Sequence, residues 1–517
     1  MNISRAREDC WPIDGTHHHD VDPAAIYQDK HIKEFFANNT KTLLVACKGM
    51  GKTLLLRSKK KTLEEEGAEG VLIIPRNREY DEPRLRGSYN PKGMSGLLFW
   101  EELWNAAIVF SILTHGQKSE DNEAKKASLL HNSISRLAID ASFKHELLEE
   151  IREKKELLPS DYLAKLLECG VGSLKKFTKS SHNVDALSIH FIKSAVCVFI
   201  DAFDQTLTDC FPNALDVWRD AQLGLARTVH KINTKNKHIK VYATIRQEAW
   251  SGFENQDREV ITGRAFLIEY SERALQELFL HAVKRYSNKN TIEEFFGLPT
   301  IHNSTCFTNE APFSYLYRHA VGSARSIIGL GAQLDQEDLL ILPNAEREQH
   351  TKQLINRAAS ENVFKDYVLG QRKIFLEALQ DEGRLRKLFS LLPSNVLTGK
   401  SLKTIHQRFC EQMAIAPDES HPFGELFNVG LLGEVKRSDV GPELVQCFRR
   451  PFEFQWKQGA MLKDEATYLI HPSLIKVINE ERQSFFVNPI NPVGSNRPWL
   501  IPEGRSNAIP RLFITQS

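Results

Sequence analysis

Through the first half of the chain, apolar residues fall in short unbroken runs, and the stretches between these runs carry apolar residues at helical spacing. Leu43–Ala46, Gly70-Val71-Leu72-Ile73-Ile74-Pro75, Ala195–Ile200 and Ala265–Tyr270 are the runs, and His238–Arg246 reads as a further strand ending in polar groups. Where no polar residue alternates with an apolar one, a strand is covered on both faces, as in a parallel sheet. Helices are predicted over Ile26–Phe36, Leu54–Glu66, Phe99–Leu113, Ala124–Leu137, His145–Lys155, Leu215–Ile232 and Glu272–Lys289. The span from the Leu43–Ala46 strand to the Ala195–Ile200 strand is about 150 residues, whereas one strand–helix–strand unit needs only about 30. A helical insertion over about 80–190 is therefore predicted, and such insertions commonly carry specificity.

The last third changes character. Leu388–Leu392 and Ser401–Met413 read as two helices joined at Thr398-Gly399, and Pro422–Val429 as a third. Gly430–Val435 leads into a strand, Phe448–Trp456 and Ala466–His471 are strand-like around a turn at Lys457-Gln458-Gly459, and Pro472-Ser473-Leu474 opens a final helix. The tail Asn488–Ser517, with Pro489, Pro492, Pro498, Pro502 and Pro510 and the anchors Trp499, Leu512 and Phe513, is predicted to be extended and pinned.

Chemistry enters where the first strand ends. Lys48, Gly49, Met50, Gly51, Lys52, Thr53 and Leu54 follow it without a gap. Phosphate oxygens must approach successive backbone N–H groups, and glycines at 49 and 51 remove the Cβ atoms that would stand in the way. The following helix adds free N–H groups and its positive dipole end. Lys52 supplies a point charge for the β- and γ-phosphates, and the Thr53 hydroxyl suits Mg²⁺. The match to G-x-x-x-x-G-K-[ST] is imperfect because Ala46 stands at the first glycine, which requires a negative φ there.

A second constellation closes the Ala195–Ile200 run. Asp201 sits at the strand's C-terminal edge, where open α/β sheets bind ligands, and is a candidate for holding Mg²⁺ through water. Asp204, three residues on, is placed to orient or deprotonate an attacking water. Thr244 and Arg246 end the next strand and are candidates to sense the γ-phosphate, an ordinary strand end being the alternative. Farther along, Gly322-Ser323-Ala324-Arg325 presents Arg325 at the start of a helix, from which a lid arginine can report hydrolysis state.

Composition narrows the class. A chain of 517 residues with 41% hydrophobic and 26% charged content is an ordinary soluble globular protein of two to four domains. The net charge of +1 supplies no global attraction to nucleic acid or membrane. Eight scattered cysteines without a C-x-x-C pair suit reduced thiols and argue against zinc. Cys47, inside the loop, reads as a small buried residue, with thiol-reagent sensitivity as the alternative. His17-His18-His19 point in different directions on any regular backbone and read as a polar loop. The basic run Arg57, Lys59, Lys60, Lys61 reads as a solvated helix face. No apolar h-region or membrane span is visible, so a cytoplasmic location and no membrane partner are expected.

Ala46–Thr53, Val196–Asp204, Val241–Arg246 and Gly322–Arg325 together resemble the Walker A, Walker B, sensor 1 and sensor 2 elements of the AAA+/STAND branch of P-loop ATPases. The order is similar to origin-recognition-like ATPases and to bacterial STAND ATPases of signalling and phage defence. The likeness implies an α/β P-loop NTPase with a five-stranded parallel sheet, a helical insertion, a helical lid and a C-terminal winged-helix domain. The expected division is an N-terminal segment 1–38, an ATPase core 39–270, a lid 271–345, a linker 346–385, a winged-helix-like domain 386–485 and a tail 486–517. It further implies ATP with Mg²⁺ held by Thr53 and Asp201, slow hydrolysis through Lys52, Asp201, Asp204, Arg246 and Arg325, and a switch that engages a protein partner or a second copy. The acid that would directly follow Asp201 is absent, and Arg219, Arg227 and Arg264 are equal candidates for an arginine finger. Phe423, Leu426 and Phe427 give the candidate recognition helix no cation for DNA readout, so packing on a partner is the preferred role. Arg449-Arg450 and Lys436-Arg437 in the wing keep a DNA-binding loader or remodeller as the alternative. A small-molecule kinase is the third reading.

Overall fold

The computed structural model describes residues 11, 26–65, 71–73, 94–115, 141, 144–145, 148–149, 159–168, 195–201, 203–211, 214–253, 255–303, 308–336, 339–361, 375–379, 381–416, 421–437, 444–450, 453–454, 456, 462–482 and 498–499. The expectations for His17–His19 and the Ala124–Leu137 helix, nearly all of His145–Lys155 and all of the tail but 498–499 lie outside those residues. The chain forms two compact units. One spans Gly15–Cys47 and Gly51–Ile268; the other spans Glu269–Ser517 together with Lys48–Met50 and Met1–Asp14.

The first unit is mixed α/β around a parallel sheet. Its strands are β1 (Leu43–Ala46), β2 (Val71–Ile73), β3 (Val196–Ile200), β4 (Ile239–Arg246) and β5 (Ala265–Leu267), in spatial order β2-β3-β4-β1-β5. Each unbroken apolar run of the sequence has become a strand, and β1 and β3 are buried along their whole length. The order has a consequence for the site. From β1 the chain crosses to β2 in one direction, whereas the steps β2 to β3, β3 to β4 and β4 to β5 move in the other. Because crossovers of parallel strands are right-handed, the helix after β1 lies on the opposite face from the helices that follow. It also puts β4 between β1 and β3, with Ala46 level with Arg246 and Ile200 level with Ala243.

The remaining layers are fixed by packing. The Leu97–His115 helix is apolar nearly all round and therefore buried. It lies along the Leu215–Lys235 helix so closely that a Cβ on Gly224 would fall 2.6 Å from that of Trp100. Trp104 Nε1 donates to the Ala221 carbonyl at 2.9 Å, and Thr228 Oγ1 to that of Glu101 at 2.9 Å. The Lys30–Ala37 helix starts on Asp29, whose carboxylate accepts the Ile32 N–H at 2.7 Å. Its last carbonyls meet Lys59, which reaches the Phe36 oxygen at 2.6 Å and lies 5.8 Å from the Phe35 ring centre. Lys59 is thus buried in the core, not part of a solvated face as its basic run suggested.

The second unit begins with helices Glu272–Tyr286, Ile292–Phe296, Pro312–His319, Ala324–Asp335 and Asn344–Ala358. Trp11 is buried in this unit, its indole N–H on Asp335 at 3.0 Å and its ring beside Phe279 and Phe295. A small hairpin of β6 (Ile301–Asn303) and β7 (Thr308–Glu310), which no apolar run announced, interrupts the helices. Farther along, helices Glu382–Ser390, Gly399–Met413, Pro422–Asn428 and Ile475–Arg482 accompany an antiparallel sheet. Its strands are β8 (Val396–Thr398), β9 (Leu432–Arg437), β10 (Leu444–Cys447), β11 (Thr467–Ile470) and β12 (Pro498–Trp499), in order β12-β10-β9-β11-β8. The strand expected over Phe448–Trp456 lies earlier, at β10. Phe448 instead packs over Gly433 and the His471 ring. Pro498 and Trp499 pair at the sheet edge, where a residue without an N–H is tolerated. Among the described residues no helix is long and apolar enough to cross a membrane.

Candidate functional site

The loop after β1 takes the conformation its glycines permit. Gly49 and Gly51 have φ of +84° and +87°, the left-handed region that side chains disfavour and that glycine adopts freely. Ala46 ends β1 and is not among the described residues with positive φ, so alanine fits the position where the motif has its first glycine. Lys52 is the first residue of the Lys52–Glu65 helix, and its Nζ donates to the carbonyls of Ala46 at 2.8 Å and Cys47 at 2.9 Å. Burial pushes its pKa down and Arg246 adds to the effect, while Asp204 and Glu248 oppose it.

Lys48–Met50 belong with the helical unit. There the Arg325 N–H donates to the Gly49 oxygen at 2.8 Å, and a Cβ on Gly49 would lie 3.2 Å from that of Arg325. Ser323 caps the Ala324–Asp335 helix by accepting the Ser326 N–H at 3.2 Å. Gly322 makes the turn with φ of +69°. It is the main chain of Arg325 that reaches the Gly49 carbonyl.

The acids sit at the C-terminal edge of the sheet because of the strand order. Asp201 follows β3, and its Oδ1 accepts the hydroxyl of Thr244 on β4 at 2.9 Å. Asp204 lies in the first turn of the Phe203–Cys210 helix, where the dipole favours an anion. Its Oδ2 accepts Nη1 of Arg246 at 3.1 Å.

Arg246 is only 3% exposed and its fork is taken up within the protein. Nε and Nη2 donate to the two oxygens of Glu248 at 2.9 and 2.5 Å, its backbone N–H donates to Gln222 Oε1 at 2.9 Å, and the Trp218 ring lies 6.0 Å away. Burial by itself would depress the Arg246 pKa; Glu248 and then Asp204 more than reverse this and hold it above the ordinary arginine value. For Glu248, 2% exposed, burial acts to raise the pKa and the Arg246 pair outweighs it, leaving the carboxyl more acidic than usual. The Cys47 thiol is hydrogen-bonded to Glu248, and burial, with Glu248 behind it, pushes its pKa well above the normal thiol value. Cys47 is thus a small buried residue, as its place in the loop suggested.

Glu248 and Gln222 were not singled out from the sequence. The available signal for Glu248 was an acid two residues beyond Arg246, at the start of the short Gln247–Trp250 helix. The three arginine-finger candidates are engaged inside the sheet unit: Arg219 with Asp220 at 2.6 Å, Arg227 with Glu101 at 3.6 Å, and Arg264 with His230 and Thr234 at 3.2 and 2.9 Å. In the C-terminal sheet region Phe423 and Leu426 are buried. The Arg449 guanidinium lies 5.0 Å from the Phe427 ring centre and donates to Asn428 at 2.7 Å. The side chains of Lys436 and Arg437 lie outside the described residues.

The residues fit a nucleotide with a hard cation. Two positive-φ glycines ahead of a helix N-terminus suit phosphate oxygens, and a hydroxyl at Thr53 with a carboxylate at Asp201 suits Mg²⁺, which keeps most of its waters. Among the described residues no group of three or more His, Cys, Asp or Glu side chains forms an all-protein metal cage. No protein-family model matches the sequence, and no curated protein is significantly similar to it.

Proposed function

We propose that the protein is an ATP-binding, slowly hydrolysing molecular switch of the AAA+/STAND kind, built on a P-loop NTPase core. One observation carries the reading: the β1 loop turns through Gly49 and Gly51 into a helix headed by Lys52, while the inserted β4 brings Thr244 onto Asp201 and Arg246 onto Asp204 along the same edge of the sheet. The loop by itself would serve a kinase, a GTPase or a motor equally well.

In this reading the N–H groups of Lys48–Leu54 bind the phosphates, and the Lys52 ammonium exchanges the Ala46 and Cys47 carbonyls for phosphate oxygens. Mg²⁺, when bound, would supply positive charge against the phosphates. Thr53 and Asp201 are the side chains that would hold it, with Thr244 fixing the carboxylate of Asp201. Asp204 accepts a hydrogen bond from the attacking water, and Arg246 fixes the rotamer of Asp204 from behind. The Gly49 carbonyl on the Arg325 N–H gives loop conformation a mechanical readout in the Ala324–Asp335 helix, and with it a route by which nucleotide state would alter binding of a protein partner or a second copy, as in phage-defence ATPases.

Turnover of Mg·ATP by the protein and by Lys52→Ala tests the reading. Slow phosphate release that the variant lacks supports it; equal release by both overturns it. The DNA-binding alternative draws no support from the Pro422–Asn428 helix, whose Phe423 and Leu426 face the core and whose neighbour Arg449 is engaged with Asn428.

A further inference from the structure

The geometry points to Glu248 as a positioning residue: it clamps two arms of the Arg246 fork so that the third arm holds Asp204 in place for the hydrolytic water. The inference deepens the ATPase reading and rests on it. An arginine has a planar fork of donors whose directions are fixed once two of them are engaged. Nε and Nη2 of Arg246 are taken by Glu248 at 2.9 and 2.5 Å, which leaves Nη1 aimed at Asp204 Oδ2, 3.1 Å away. Arg246 and Glu248 are both fully enclosed, whereas Asp204 keeps about a fifth of its side chain in contact with solvent, 21%. The reactive end of the relay therefore opens outward and its anchor does not. The backbone is anchored as well, by the Arg246 N–H on Gln222.

Glu248 has a second partner, and this supplies a readout independent of ATP. The Cys47 thiol, at the start of the phosphate loop, is hydrogen-bonded to the Glu248 carboxylate, and the charged groups that face it are Glu248, Arg246 and Lys52. Glu248 holds the thiol in its protonated form; Arg246 and Lys52 act the other way. Neutralising Glu248 while keeping its shape leaves both cations facing Cys47, so the thiol ionises more readily.

Glu248→Gln is the variant to measure. Its amide can accept from one arm of the fork, not two, so Asp204 is held less firmly while the glycines and Lys52 are untouched. The expected result is a fall in kcat of at least about tenfold with KM for ATP held within about threefold, the pattern of an interaction needed beyond ground-state binding. Peptide-resolved mass spectrometry of iodoacetamide labelling should also show the pH profile of Cys47 alkylation moving to lower pH. Unchanged kcat, or kcat and affinity lost only in proportion to loss of folded protein, overturns the inference. If the wild-type protein does not turn over ATP, the ATPase reading fails on its own account. The Cys47 profile then still decides the placement of Glu248, an unshifted profile contradicting it. Should Glu248→Gln not fold, Glu248→Asp keeps the charge but stops one methylene short of the fork. It is expected to lower kcat at constant KM, and a folded Glu248→Asp with full kcat contradicts the inference.

Discussion

Each unit of the molecule contains a buried carboxylate, and the two are held in opposite ways. Glu248, in the sheet unit, faces the Arg246 guanidinium and is more acidic than an ordinary glutamate. Glu425, on the Pro422–Asn428 helix, is also largely buried, yet its oxygens meet neutral backbone N–H groups, that of Ala378 at 3.1 and 3.2 Å among them, with the Glu377 carboxylate adding repulsion. Burial, then that repulsion, push its pKa up to about 8. Burial is common to both; the presence of a cation decides whether the carboxyl stays ionised. The charged network lies at the sheet edge where the site is, and the neutral carboxyl lies where a 3-10 turn is fastened to a helix. Of these two carboxyls, the one that keeps its charge is the one whose oxygens meet the Arg246 guanidinium.

The sharpest way to break this comparison is to remove the acid and leave its cation. Glu248→Ala strands Arg246 in the core and should cost about 3–5 kcal/mol of stability, read from urea unfolding. Glu425 is probed by pH. Its folded pKa is raised, so its contribution is fully present below pH 4.5 and is lost as pH rises through about 8. Glu248, with a lowered folded pKa, contributes above the unfolded carboxylate value and is lost on acidification below it. The contribution of Glu425, read as the difference between the wild-type protein and Glu425→Gln, should therefore decline from pH 5 to pH 8.5 by roughly 2–4 kcal/mol, with the acid limb the same in both. Next in size is Gly224→Ala, whose Cβ would meet Trp100 at 2.6 Å with no flexible neighbour to yield, for a loss of about 1–3 kcal/mol in the same unfolding measurement. The smallest effect is that of Asp29→Ala, which uncaps the Lys30–Ala37 helix and should cost about 1 kcal/mol.

What could be read from the chain, and what could not, follows the same division between local and distant interactions. Leu43–Ala46 and Val196–Ile200 declare themselves as double-sided strands because burial on both faces leaves no polar residue in the run. Gly49 and Gly51 declare a left-handed turn because no other residue adopts it cheaply. Asp201 and Thr244 were each legible at a strand end, and the strand order then brought them together. Glu248 was not singled out: its spacing from Arg246 was visible, but the Asp204 on another element that the same guanidinium holds, and the Cys47 thiol, are brought there only by the fold. Lys59 looked solvated for the same reason: the carbonyls it caps belong to a helix more than twenty residues earlier. The β6–β7 hairpin has a polar composition, so its pairing left no periodic trace. The aromatic run after β10 imitated a strand, although Phe448 is used to cover Gly433. Arg219, Arg227 and Arg264 offered themselves as fingers because charge is visible in a sequence and the pairing that engages it is not.

The central claim is that the Gly49–Thr53 loop with Lys52 binds the phosphates of ATP. Equilibrium titration of Mg·ATP against the wild-type protein and against folded Lys52→Ala tests it most directly. Loss of one charge-assisted phosphate contact, about 1.5–3 kcal/mol, predicts an affinity weaker by roughly ten- to a hundredfold in the variant. Equal affinities for the two proteins, or no binding by the wild type, would contradict it.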